Sequence, residues 1–495
     1  MKKDRTWDIT FLMLSVIMLL LMMCIRSGRF VSSDTYFHYN RLLQMLDCFK
    51  DGKYPWFYYN DFQGVGYSTP FFYGQLTLLP FSIFLPLGVI GFGYAYSFIC
   101  YIVIWLGVQS FTKRFSDKYA QIAFVFILSQ FAVERIFYNQ SLQAFKIGFG
   151  IGFFFLAYCV DFFRDRKGFI KPALLFCLIF DTSLNAAVVM FIACCVLFIV
   201  YFDSRMIRQY FRFAVLCCLL CSYFIVNILY HSDVLTRTKN IAFAIATHNY
   251  SDDLIVGFSG FGQPGIRLLG VLPFLWSVKC LLSRKLSKRE VIGLILCAVC
   301  VIASYEPIFI YSGLYILFQV PVRYLGIIVL VYLIIAFRHE DLRWFIVMSC
   351  IVTAVTSCIY VSRSGLLEEE DIPTLGSVAM GDYLHESFDW EVFDSMRQAN
   401  GKAFTESRGI VVMQSDGEEE LYFPKLYYRG YRASGSDRTF DVKMGISQFI
   451  YVEPDGYVGE IRLEYCHPIW LKTLGIFCLG LWLIIAGVSY RNRGY

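Results

Sequence analysis

Residues 7–25 read WDITFLMLSVIMLLLMMCI, with Asp8 as their one charged side chain, and this stretch decides what kind of protein the chain is. A membrane-spanning helix needs about 20 mostly apolar residues. Lys2, Lys3 and Arg5 precede the run. It is too long for the apolar part of a secretion signal and has no small-residue cleavage site, so it reads as an uncleaved first span. Working outward, similar runs recur at 92–111, 119–133, 147–163, 170–184, 186–202, 211–229, 267–283, 291–305, 323–338, 345–361 and 468–488. The expectation is an all-α polytopic membrane protein of about 12 spans.

Composition agrees. Hydrophobic residues make up 57% of the 495 and charged residues 17%, against roughly 25% charged in ordinary soluble domains. The net charge of +5 is modest, and no Lys/Arg patch alternates with exposed aromatics, so nucleic acid is not an expected partner. Most of the 17 cysteines lie inside apolar runs, where a thiol acts as a small hydrophobe. Cys48 and Cys466 fall outside those runs, and a pairing between them stays open.

Lys and Arg gather in every second loop: the N-terminus, 112–118, 164–171, 203–212, 283–290, 338–343 and 491–493. Short cytoplasmic loops carry this excess, so both termini are expected in the cytoplasm. Two Pro-bounded apolar segments, 71–90 and 307–320, break the parity. They read as interfacial or re-entrant helices, which is tolerated where backbone is buried in protein; were both to cross, the total would be about 14. Residues 1–361 then form a transmembrane domain with long outer loops at 26–74 and 231–265. Residues 362–467 form a small extracytoplasmic β-rich domain, with alternation over 421–431, 440–452 and 457–465 and helix around 383–396. Residues 468–495 are the last span and tail.

The first outer loop holds the most chemistry. In Ser32-Ser33-Asp34-Thr35-Tyr36-Phe37-His38-Tyr39-Asn40-Arg41, a helix would set Asp34, His38 and Arg41 on one face. A carboxylate, an imidazole and a guanidinium there suit either a base with an anion clamp or a metal with a phosphate; they are equally consistent with a capped, solvated helix start. Other polar groups stand at outer span ends: Glu134, Arg135, Asp181, Glu306 and Arg323. A charge well inside a span costs about 2.5–3.5 kcal/mol, so Asp181 should face a wet cavity or a partner, or sit at the interface. His231, Asp233, His248, Asp252 and Asp253 suit a solvated, lid-like loop better than a metal site.

After Asp34, the first loop continues through Gly52-Lys53-Tyr54-Pro55-Trp56, Gly64-Val65-Gly66-Tyr67 and Pro70-Phe71-Phe72-Tyr73-Gly74, and Gln319-Val320-Pro321-Val322-Arg323 follows late in the chain. This order resembles the bacterial 6-pyruvoyl-tetrahydropterin-synthase-related membrane proteins, kin to the YfhO type, which resemble GT-C membrane glycosyltransferases. Most of the chain shares the architecture, and the first loop carries the specific motifs. The resemblance implies a GT-C-like fold and transfer of a sugar from a polyprenyl-phosphate carrier to an extracytoplasmic acceptor: a cell-envelope polymer, glycolipid or protein. Asp34, with His38, would be catalytic; Arg41, Arg323, Glu134, Arg135 and Asp181 would bind substrate or phosphate; Asp34 and His38 would hold any divalent cation (Mg or Mn). The family's Arg-then-Glu pair appears here reversed, as Glu134-Arg135. Beyond the lipid-linked donor, membrane lipids and the acceptor, no partner is implied. The rival readings are a transporter or flippase of polysaccharide precursors and a non-catalytic assembly factor. Transporters show internal repeats and midplane charges, and neither is evident here.

Overall fold

The computed structural model describes residues 2–25, 33–61, 63–134, 143–234, 286–303, 387–400 and 404–491, with isolated positions at 385 and between 327 and 351. It is mostly helical, with a small β region near the C-terminus. The helices are α1 (Lys2–Ile25), α2 (Ser33–Lys50), α3 (Thr69–Phe72), α4 (Gly88–Thr112), α5 (Tyr119–Glu134), α6 (Gln143–Phe163), α7 (Ile170–Thr182), α8 (Leu184–Val200), α9 (Ile207–Tyr230), α10 (Lys288–Ala303), α11 (Trp390–Asn400) and α12 (Ile469–Arg491).

Among the described residues, four helical stretches are long and apolar enough to cross a membrane: 79–112, 144–163, 204–230 and 469–491. Helix α7, at 13 residues, rises about 20 Å, less than a hydrocarbon core of about 30 Å. It stops at Ser183, whose extended backbone breaks the helix and whose hydroxyl accepts from Ala186 N to start α8. The expected spans at 267–283 and the segment 307–320 lie outside the described residues, as do most of 323–338 and 345–361.

α6 is the hub. Its sequence Gly148-Phe149-Gly150-Ile151-Gly152 lets neighbours approach closely, as small residues do in membrane bundles. A Cβ on Gly150 would stand 2.8 Å from Val103 Cγ1 of α4, and one on Gly148 would stand 2.8 Å from Ala186 Cβ of α8. The lone acid of the opening stretch is also accounted for. Asp8 Oδ1 accepts from Trp105 Nε1 at 2.9 Å and from Gln109 Nε2 at 2.7 Å, and the Trp105 ring stacks on Phe11 at 4.3 Å. Three of the loops with basic excess meet at one end of the bundle: Arg114 pairs with Asp161 at 2.9 Å, Arg164 donates to the Arg114 carbonyl at 2.7 Å, and Arg166 pairs with Asp203.

Residues 71–90 contain no long helix. α3 supplies one turn, and a 3-10 helix at Leu79–Leu87 runs into α4. Pro80 and Pro86 cannot donate the amide bonds that a continuous helix needs.

The β region is two antiparallel sheets. One has the order β1 (Phe404–Ser407), β2 (Ile410–Ser415), β8 (Gly459–Tyr465), β4 (Tyr431–Ser434), β5 (Thr439–Phe440); the other is β3 (Leu421–Leu426), β7 (Phe449–Val452), β6 (Lys443–Met444). The expected strand at 421–431 therefore divides, with Leu426 and Tyr431 in different sheets. The expected strand at 440–452 is three pieces around a 3-10 turn at Ile446–Gln448. The β1–β2 hairpin, turning at Arg408-Gly409 where both φ are positive, was not foreseen. α11 falls at the end of the expected helical segment.

This region shares its core with the first outer loop. Phe57, Tyr58, Val65, Tyr67 and Phe71 of the loop are buried in one cluster with Val411, Met413, Ile461 and Leu463 of the sheet. Leu426 N donates to Val65 O at 3.0 Å. The ammonium of Lys425, 1% exposed, pairs with Glu406 at 2.6 Å and donates to Tyr59 O at 2.9 Å. Burial lowers its pKa, opposed by Glu406.

Candidate functional site

Helix α2 begins where the first-loop motif begins. Asp34 lies in its first turn, where the helix dipole favours a carboxylate, and is half-buried. One turn on, His38 is 3% exposed, with its ring edge-on to Tyr96 at 5.7 Å and to Phe37 at 5.0 Å. Arg41, 1% exposed, places Nη1 3.2 Å from His38 Nδ1, and its Nη2 donates to Gly74 O at 2.9 Å and Tyr73 O at 3.3 Å. Arg41 can only donate, so His38 Nδ1 is the acceptor and the imidazole proton sits on Nε2. Burial, and next the Arg41 charge, hold the His38 pKa well below its ordinary value. The ring is neutral, and the lone pair a metal would take at Nδ1 is already engaged. His38 therefore does not fit a cation at that atom. Among the described residues, no group of three or more His, Cys, Asp or Glu is arranged to hold a metal.

Gly74, whose carbonyl accepts from Arg41, also packs against Asp181. A Cβ on Gly74 would stand 2.0 Å from Asp181 Oδ1, so only glycine lets the turn pass there. Asp181, 3% exposed, accepts from Thr77 N and Thr77 Oγ1, both at 3.1 Å. Thus α2, the 73–77 turn and the end of α7 form one polar joint. Glu134 ends α5 with its side chain outside the described residues, and Arg135, Glu306 and Arg323 lie outside them too.

Beside the joint lies a cavity of about 810 Å3, bounded by the first loop, the C-terminal end of α7, α9, the β8–α12 junction and α12. Its lining takes in Asp181 but not Asp34, His38 or Arg41. One part of the wall is polar, with Lys53, Gln75, Asp181, Glu464, His467 and Lys472; the helices contribute Leu178, Leu220, Phe224, Ile476, Leu479 and Trp482. From Lys472 to Trp482 the wall runs about 15 Å along α12 at 1.5 Å per residue. Trp482 Nε1 donates to Leu174 O of α7 at 3.1 Å, and the Cys478 thiol to Leu219 O of α9 at 3.5 Å, which fix the last helix against its neighbours. Cys48 and Cys466 both line the cavity as free thiols.

Sequence reasoning passed over most of this polar wall. Lys53 pairs with Glu464 at 2.8 Å. His467 stacks flat on Trp56 at 4.6 Å, and its Nδ1 lies 3.2 Å from the Tyr465 hydroxyl. Burial, then the charge of Lys472, lowers its pKa to about 3. Nearby, His231 stacks on Phe71 at 3.9 Å with its pKa also about 3, from burial, His467 and Arg429. His231 and Asn227, both 0% exposed, leave all four side-chain polar atoms without a hydrogen-bond partner. Lys146, 2% exposed in α6, is another buried cation. The available signal was a lysine or histidine at the edge of an apolar run, as at Lys146 and at His467 with Lys472. Of the second outer loop only its first residues are described, and Asp233 there pairs with Arg429 of the β region at 2.6 Å.

Compared with models of known protein families, with curated proteins and with solved structures, the chain matches none.

Proposed function

We propose that this chain is a membrane glycosyltransferase of GT-C-like architecture, moving a sugar from a polyprenyl-phosphate carrier to an acceptor outside the cell. One observation carries the reading: a cavity that is polar where the first loop and β region meet it and apolar along three helices. Such a wall suits a ligand with a polar head and a hydrocarbon chain. The first-loop resemblance supports the same chemistry. In this proposal the chain crosses the membrane about a dozen times, with both ends cytoplasmic and residues 362–467 outside. The four long apolar helices and the meeting of three basic loops at one end of the bundle support that topology.

In the reaction, the acceptor oxygen forms a bond to the sugar's anomeric carbon while the bond from that carbon to the carrier phosphate breaks. Asp34 takes the acceptor hydroxyl's proton, and the lipid phosphate leaves with the bonding pair. His38, neutral and bound to Arg41, positions the first turn of α2, and no step needs a metal at its Nδ1. Asp181 keeps the 73–77 turn against the cavity through Thr77.

The test is Asp34→Asn in cells, with envelope glycans profiled against the parent strain and a deletion strain. The variant, at normal protein level, should lose the same glycan as the deletion. A parental glycan profile in the variant would sink the reading.

A further inference from the structure

We infer that Lys472 and His467, at the junction of β8 and α12, form a headgroup subsite for a lipid bearing a single phosphate. The lipid's chain lies in the apolar trough between α7, α9 and α12.

Three independent features point to this occupant. Lys472 is half-buried at the cavity wall and has no ion-pair partner among the described residues, whereas Lys53 beside it is neutralised by Glu464 at 2.8 Å. His467, 3% exposed, also lines the cavity, and its Nε2 has no hydrogen-bond partner. Nδ1 pairs with the Tyr465 hydroxyl at 3.2 Å, and when it accepts there the proton sits on Nε2, which then donates into the cavity. A lone cation and a buried, unpartnered imidazole nitrogen on the same cavity wall make an anion site. The trough supplies the rest of the argument. Ile476 and Leu479 line the cavity while 69% and 38% exposed, so the trough opens at the outer surface of α12, where Phe477 and Leu483 are also exposed. A hydrocarbon chain can enter from that side without crossing a polar barrier, whereas a soluble phosphate would leave the trough unfilled.

The inference deepens the transferase reading and rests on its view of the cavity as a lipid site. It adds to that reading by assigning the headgroup to the C-terminal module, whose His467 stacks on Trp56 of the first loop. Residues 464–482 would then be part of the binding site itself, and the β region would hold its ceiling in place.

The experiment uses the full chain in nanodiscs of zwitterionic lipid, titrated with farnesyl monophosphate, farnesol or inorganic phosphate while the unfolding midpoint is followed. Farnesyl monophosphate should raise the midpoint at concentrations about tenfold below farnesol, the discrimination expected of charge-assisted hydrogen bonds, and inorganic phosphate should leave it unmoved. Lys472→Met should remove the preference for the phosphate and leave the farnesol response unchanged. Leu178→Trp, which fills the trough, should suppress both responses with the unliganded midpoint retained. Equal responses of the wild-type protein to monophosphate and alcohol would overturn the inference even if Lys472→Met failed to fold. An undiminished preference in Lys472→Met, or an equal shift from inorganic phosphate, would overturn it as well. Should lipid binding hold while Asp34→Asn keeps the parental glycans, the transferase reading fails and the subsite stands. The reverse pair of results would leave the transferase and remove the subsite.

Discussion

At the scale of single residues, the first-loop motif forms a structural joint. Arg41, expected to bind substrate or phosphate, sends its Nη donors to two carbonyls and an imidazole nitrogen, holds its guanidinium 5.0 Å over the Tyr73 ring and leaves its buried Nε–H without a partner. Lysine has neither the planar fork nor the reach to serve these partners together. Arg41→Lys should therefore lower stability by about 2 kcal/mol, the worth of a charge-assisted hydrogen bond left unmade. Thermal unfolding in detergent would show it, and a midpoint equal to wild type would contradict the joint. The Asp34–His38–Arg41 spacing was legible because a helix begins at Ser33. Arg41's partners were not, since Tyr73 and Gly74 come to it only when the loop folds back.

Among the elements, α6 shows how small residues set the distance between helices. Gly150→Ala would drive a Cβ to 2.8 Å from Val103 Cγ1 and 2.9 Å from the Ile104 backbone nitrogen. Backbone cannot swing aside like a side-chain tip, so α4 must move, at about 1–3 kcal/mol for overpacking. Gly293→Ala in α10 meets nothing within 4 Å, and should stabilise by about 0.5–1 kcal/mol because alanine loses less backbone entropy in a helix. Opposite shifts of the two unfolding midpoints are the expected result; a loss in both would mean that helix propensity and packing have been misassigned. The helices themselves could be read from apolar run lengths. The strands were harder: Pro424 lies within β3, a register shift follows Phe423, and β5 and β6 are two residues each, too short for alternation to mark.

Over the whole molecule, three buried neutral histidines make stability depend on pH. His38, His231 and His467 have folded pKa values below the ordinary 6.5, about 3 for the last two. Below 6.5 the unfolded chain takes up protons that the folded chain excludes, so stability should fall as pH drops from about 6.5 toward 3. Each site contributes up to about 1.4 kcal/mol per pH unit. The unfolding midpoint measured from pH 7 to 4 should decline, and His231→Phe should make that decline shallower. An unchanged slope in the variant would mean that His231 is not held neutral.

The sequence by itself determined the long apolar helices, the positions of most described helices, the presence of a β region before the last one and the helical face of the first loop. These follow from local quantities, namely apolar run length, charge spacing and turn residues, which act over one or two turns. Only the tertiary structure decided that the first loop and the β region share one core through Lys425 and Phe57, that Asp181 meets Gly74, and that α12 closes a cavity with Lys53 and Trp56. Those contacts join residues one hundred to four hundred positions apart. They depend on which buried polar group finds which partner once the helices pack, and no local pattern in the chain records that choice.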